Sequence, residues 1–167
     1  PYADITLSKE LVNSGAISSG DEVSYDLTLA NAGPQGIDLK DYNINQRTLL
    51  TEIYPAEELT YVSSDDPNVS CTDLGPGSSS FLGNFASNHN AHQLLLCVYV
   101  GPSNVIASNE QFTVRLNFIA NEGIGNSFTN YAAHSGTVND SDLAGLYAAF
   151  GGGEDGMDSL ANGNFAK

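Results

Sequence analysis

Residues 22–31, EVSYDLTLAN, place Val23, Tyr25, Leu27 and Leu29 on one face and Ser24, Asp26 and Thr28 on the other. That period of two is the pattern of a β-strand buried on one side only. A Gly-Asp turn in SSGDE precedes it and NAGPQG ends it. One strand cannot bury its own apolar face, so the stretch predicts a sheet and a second layer to cover it.

The same pattern recurs in both directions. Upstream, ADITLSKEL (3–11) alternates Ile5, Leu7 and Leu11 with Asp4, Thr6, Ser8 and Glu10. Downstream come TLLTEIYP, stopped by Pro55, then LTYVSS, then a loop, DPNVSCTDLGPGSSS, that encloses a short strand. FLGNF reads as a short edge strand, NHNAH as loop, and QLLLCVYV, apolar on both faces, as a central strand. EQFTVRLNFIA points Phe112, Val114, Leu116 and Phe118 inward, and GIGNSFTNYAAHSG closes the series. Short alternating strands with turn residues between them predict an all-β fold, an antiparallel β-sandwich of about seven to ten strands. SDLAGLYAAF, with Leu143, Leu146, Tyr147 and Phe150 at helical spacing, is read as a short helix or a last strand. The tail GGGEDGMDSLANGNFAK has too little apolar matter to pack alone and is read as loop, or as ordered by a neighbouring subunit. The expected division is a sandwich over residues 1–140, with 1–11 a candidate exchanged strand, and a helix-or-strand plus tail over 141–167.

Composition narrows the function classes. The 167 residues carry 5 Lys+Arg against 20 Asp+Glu, a formal net charge of -15. Such a surface repels phosphate backbones and anionic lipid, which argues against nucleic acid and membrane surfaces as partners. No run reaches the length of a membrane span, so no membrane insertion is expected. The chain opens Pro-Tyr-Ala-Asp without an initiator Met and is read as a processed mature chain, although an excised fragment would look the same. Cys71 and Cys97 lack the close spacing of a metal or redox site and are read as a disulfide. Asn68 and Asn139 head N-glycosylation patterns in loops. These features together predict an extracellular protein.

Several motifs in order resemble the Ig-like conserved-repeat domain of bacterial and archaeal surface proteins, a domain of unknown function. ADITLSKEL matches its opening acidic-apolar strand ending in Thr/Ser-Lys, and SGDEVSYDLTLANAGP its Gly-Asp turn, Tyr-bearing strand and Asn-x-Gly-Pro. TEIYPAEELTYVSS answers its Asp-x-Leu-Pro and Gly-Leu-Thr-Phe-Val-Ser strands, with Glu52 in place of the Asp and IDLKDYNINQR inserted before it. SFTNYAAHSG matches the closing Thr-Asn-x-Ala strand. The resemblance spans about residues 3–140 and implies an Ig-like sandwich with a surface or structural role. A Cys pair on neighbouring strands is common there, as Cys71 and Cys97 would be.

One residue breaks the pattern of the first strand: Lys9 falls in phase with its apolar side chains. Related sandwiches in surface adhesins and pilins carry Lys–Asn isopeptide bonds, which implies Lys9 as nucleophile, Asn130 as carbonyl and Glu52 as proton shuttle. Asn130 is in phase with Phe128 and Ala132, and Glu52 with Leu50. First and closing strands are expected to be neighbours. The plainer reading is that Lys9 bends its ammonium to the rim and pairs with Glu52 or another carboxylate, with Asn130 simply a turn or ladder residue.

Other groups carry less. No cofactor is expected except calcium, for which Asp140, Asp142, Asp155 and Asp158, around GGGEDGMDS, are the candidate ligands against a plain solvated acidic loop. His89 and His92 sit three apart in a loop with nothing to complete a metal set. There is no Gly-x-Ser-x-Gly elbow, and no enzyme is expected. The leading expectation is a structural subunit of an extracellular filament, pilus-like fibre, sheath or surface layer, a homopolymer built by strand or tail exchange between copies. The alternative is a cell-surface adhesion or ligand-binding module, for a glycan or other surface ligand.

Overall fold

The computed structural model describes residues 5–44, 49–78, 80, 91–121, 130–133 and 165–166. Two antiparallel sheets pack face to face. The first holds β1 (Ile5–Leu11), β2 (Glu22–Asn31), β9 (Gln111–Ala120) and β5 (Leu59–Ser64), in the order β1-β2-β9-β5. The second holds β11 (Phe165–Ala166), β10 (Tyr131–Ala133), β4 (Leu50–Pro55), β7 (His92–Tyr99) and β6 (Val69–Asp73), in that order. A separate pair joins β3 (Ile37–Asp38) to β8 (Val105–Ile106). The nine strands of the two main sheets make the antiparallel sandwich that the alternation predicts.

The inward faces are those expected from period two. Val23, Tyr25, Leu27 and Leu29 of β2 meet Val114, Leu116 and Phe118 of β9 in the core. Phe118 is the hub, with the rings of Tyr25, Tyr54 and Tyr61 at 5.9, 5.3 and 5.7 Å. QLLLCVYV lies between β4 and β6, central as its two apolar faces require. Cys97 on β7 faces Cys71 on β6 and the two form a disulfide. The Asn-x-Gly-Pro turn is built around Asn31, buried at the end of β2. Its amide donates to the Gln35 and Ile106 carbonyls and its oxygen accepts from the Gly33 N–H.

Three features differ from the sequence expectation. The inserted stretch after Gly36 forms β3 and a one-and-a-half-turn helix, α1 (Leu39–Ile44). Asp38 caps that helix by accepting from the Lys40 N–H, and Leu39 plugs the core. β4 has no exposed face: every residue from Leu50 to Pro55 is buried. The first and closing strands are not hydrogen-bonded neighbours; β1 edges one sheet while β10 lies beside β4 in the other, facing it across the core. FLGNF and the 141–150 segment lie outside the described residues, as does the tail except Phe165–Ala166, which pairs with β10 of its own chain.

Candidate functional site

Register decides which side chains meet. Lys9 pairs directly with Leu27, and cross-strand partners point to the same face, so the lysine must enter the core between Leu7 and Leu11. The register is fixed beyond the strand end: the Val12 N–H donates to the Ser24 carbonyl, while Asn13 donates to the Glu22 carbonyl and accepts from the Ser24 N–H. A slip of one residue would turn Lys9 out to solvent.

In the opposite sheet Glu52 sits between Ala132 of β10 and Leu95 of β7, both fully buried. Asn130 comes two residues before Ala132 on the same face, the diagonal neighbour of Glu52. The three predicted residues are thus brought together from β1, β4 and the entry to β10.

Lys9 Nζ donates to Glu52 Oε1 at 2.6 Å, and the two side chains are 1% and 0% exposed. The Lys9–Glu52 pair of the plainer reading forms, but in the core rather than at the rim. Nζ also lies 3.4 Å from the carbonyl oxygen of Tyr131, the residue after Asn130, and 4.7 Å from the centroid of the Tyr25 ring. Asn130 is buried, and it lies near enough to Glu52 and Tyr25 to bias both titrations. Yet neither of its amide atoms completes a hydrogen bond of good geometry, and Glu52 Oε2 is equally unpartnered. Three of the four unsatisfied buried side-chain atoms among the described residues belong to this cluster, the fourth being Thr51 Oγ1.

Burial acts on both charges in the same sense. Desolvation lowers the Lys9 pKa to about 8 against the pull of the Glu52 carboxylate. It raises that of Glu52 against the opposing pull of Lys9. Both shifts narrow the gap between the ammonium–carboxylate pair and a neutral amine beside a neutral acid. Tyr25 rises to about 12, through burial first and the Glu52 charge second. An uncharged amine, a carboxyl that can give or take a proton, and an unpartnered carboxamide are the reactants for amide exchange. Tyr25 was legible in the sequence only as a core position; its ring over the amine follows from pairing Leu11 with Tyr25.

The remaining candidates are scattered or outside the described residues. His89, Asn139, Asp140, Asp142, Asp155 and Asp158 lie outside them. His92 begins β7, with its ring 5.8 Å from that of Tyr131, and no group of three metal-ligating side chains occurs among the described residues. Asn68 is half-buried in a turn, close against Gly101, where any larger residue would collide with it.

A scan against protein-family models gives no match, and a search of curated proteins gives none. Among solved structures, the chain is similar to carbohydrate-binding module CBM3b from the cellulosomal cellobiohydrolase 9A of Clostridium thermocellum, with TM-score 0.45, 11% identity, and coverage of 80% of this chain and 94% of that one. The unique CBM3- of Hungateiclostridium clariflavum gives TM-score 0.44 and 12% identity over 81% of this chain and 96% of that one. The sixth cohesin of Acetivibrio cellulolyticus scaffoldin B, solved with a dockerin, gives TM-score 0.39 and 14% identity over 77% and 79%.

Proposed function

We propose that this chain is an extracellular surface module that cross-links itself, joining Lys9 to Asn130 by an amide bond so that its first and closing strands are covalently closed. The observation that carries this reading is the solvent-free cluster of Lys9, Glu52 and Asn130, with the amide of Asn130 left unpartnered. The site is sealed against an outside substrate, so its chemistry acts on the protein itself.

Proton transfer from Lys9 to Glu52 leaves the amine lone pair available. Nζ attacks Asn130 Cγ and forms the new C–N bond, while the Glu52 O–H donates to the developing oxyanion. One proton of the attacking nitrogen then passes through the Glu52 carboxyl to Asn130 Nδ2, the old C–N bond breaks, and ammonia leaves. An amine and a primary amide become a secondary amide and ammonia; no oxidant or cofactor enters, and Glu52 ends as the acid it was. The product also cures the polar deficit. Its N–H can donate to one Glu52 oxygen and its carbonyl can accept from the Glu52 O–H. Each buried polar group left unpaired costs about 1–3 kcal/mol, so this closure is itself stabilising.

The adhesion or ligand-presenting role suits this module better than exchange into a filament. β1 already fills its sheet edge in cis through the pairs from Ile5–Asn31 to Leu11–Tyr25, and exchange would have to undo them. An Ig-like surface repeat closed in this way can bear tension between its ends, and the disulfide fits the same oxidising surroundings.

Intact mass tests the bond. Beyond the two hydrogens lost to the disulfide, the chain should weigh about 17 Da less than its sequence demands, the mass of one ammonia lost to the nucleophile. Full mass in folded, homogeneous material would remove the proposal. Electron microscopy and size exclusion test the role: monomers are expected, and fibres that vanish when residues 1–11 are deleted would restore the filament reading.

A further inference from the structure

We infer that Tyr25 is a positioning residue for this reaction, its ring face holding the Lys9 amine toward Asn130 and keeping water from it. The inference rests on the cross-linking reading and adds a fourth residue to it. Nζ is bounded by Glu52 Oε1 at 2.6 Å, the Tyr131 carbonyl oxygen at 3.4 Å and the Tyr25 centroid at 4.7 Å. One direction of the tetrahedral nitrogen is its bond to Cε, and these three contacts bound the others, so the amine is held in one place rather than free to swing.

The wall is rigid. Tyr25 is 8% exposed, and Phe118 meets it edge to face at 5.9 Å with planes at 86°. Phe118 is in turn braced by Tyr54 and Tyr61. Lysine carries four rotatable bonds, and an amine free to swing would rarely sit in line with a carboxamide carbon. Fixing one reactant against the other is where much of the acceleration of such a reaction comes from. The ring also suits both protonation states. Its face attracts the ammonium before the proton moves, and offers the neutral amine an apolar surface afterwards.

The contact with Nζ is made by the ring, while the hydroxyl lies close enough to Asn130 to bias the Tyr25 titration, so variants that keep the ring or lose it separate the two. Full-length chains made in a timed cell-free synthesis, quenched and weighed intact, report the rate of ammonia loss. Tyr25→Phe should cross-link within about twofold of the wild-type rate, and Tyr25→Leu at least about tenfold more slowly. Equal rates for the leucine and wild-type chains would overturn the inference, and so would a phenylalanine chain as slow as the leucine one. A second measurement does not need the bond or the leucine variant. In Asn130→Ala, which cannot cross-link, the Lys9 ε-methylene protons should resonate upfield of their ordinary position and return to it in Tyr25→Leu. Unshifted ε protons in Asn130→Ala would refute the ring contact. If the wild type keeps its full mass while the upfield shift is present, it is the cross-linking reading that has failed, and the positioning role falls with it.

Discussion

Sheet β1-β2-β9-β5 carries two ion pairs of nearly equal length on opposite faces. On the inner face Lys9 and Glu52 meet at 2.6 Å with side chains 1% and 0% exposed; on the outer face Arg115 and Asp26 meet at 2.8 Å with 42% and 29%. The outer pair is a two-pronged clasp, Nε and Nη2 each donating to one carboxylate oxygen, and it pulls the Asp26 pKa down. The inner pair does the opposite to its acid, since burial raises Glu52 despite the adjacent lysine. The distances differ by only 0.2 Å, so solvent decides. Water lets the outer charges remain charges. Its removal from the inner pair makes the ionic form costly and the proton-transferred form reactive.

The largest break in this contrast comes from Asn130→Ala. It should abolish the mass loss and remove a closure spanning residues 9 to 130, worth about 5 kcal/mol in the chain-entropy model. Denaturant unfolding of the two proteins side by side would measure it, and equal midpoints would count against a covalent link. Within that unlinked variant, adding Glu52→Gln should cost about a further 3 kcal/mol, because it leaves the Lys9 charge buried without its counter-ion. A double variant no less stable than Asn130→Ala would mean that the pair never carried its charges in the folded state.

The unlinked variant should also depend on pH in a way the wild type does not. The folded Lys9 pKa, about 8, lies below its unfolded value of 10.5, so between those values the unfolded chain holds more protons. Stability must therefore rise from about pH 8 upward, by about 3 kcal/mol if Lys9 acted alone. Tyr25 opposes it from pH 10, because its folded value of about 12 lies above the unfolded 10.0 and the folded chain then holds the extra proton. Urea titrations should accordingly show Asn130→Ala gaining stability between pH 8 and 10. The cross-linked wild type, whose Lys9 nitrogen no longer titrates, should lack that limb. A limb of the same size in both proteins would show that Lys9 remains an amine.

Part of this was legible and part was not, for reasons that differ by residue. Lys9 could be found because a half-buried strand has a strict period of two, and one charged residue in phase with leucines stands out. Glu52 was found by its phase with Leu50, but β4 is buried on both faces, with Leu50, Thr51, Glu52 and Ile53 all at 0% exposure. Phase did not bury it; the placement of β4 between β10 and β7 did. That placement depends on contacts far apart in sequence, which local patterning does not encode. The same limit hid the assignment of β1 and β10 to facing sheets, and with it Tyr25. The α1 turn was missed for a local reason: six residues are too few to show a helical period, and only the Asp38 cap marks it.

The smallest effect belongs to the outer pair. Asp26→Asn removes one charge of the clasp while keeping its shape, and both partners stay in water, so neither is left buried and unpaired. Exposed pairs trade protein contacts for solvent contacts at little net change, the more so in salt. The melting temperature at 0.15 M salt should stay close to that of the wild type, with ammonia loss complete in both. If Asp26→Asn instead slowed the cross-link, the two faces of β2 would be coupled through Tyr25 and Leu27, which flank Asp26 and point inward. The separation of roles by solvent alone would then need a mechanical term, transmitted through one strand from its wet face to its dry one.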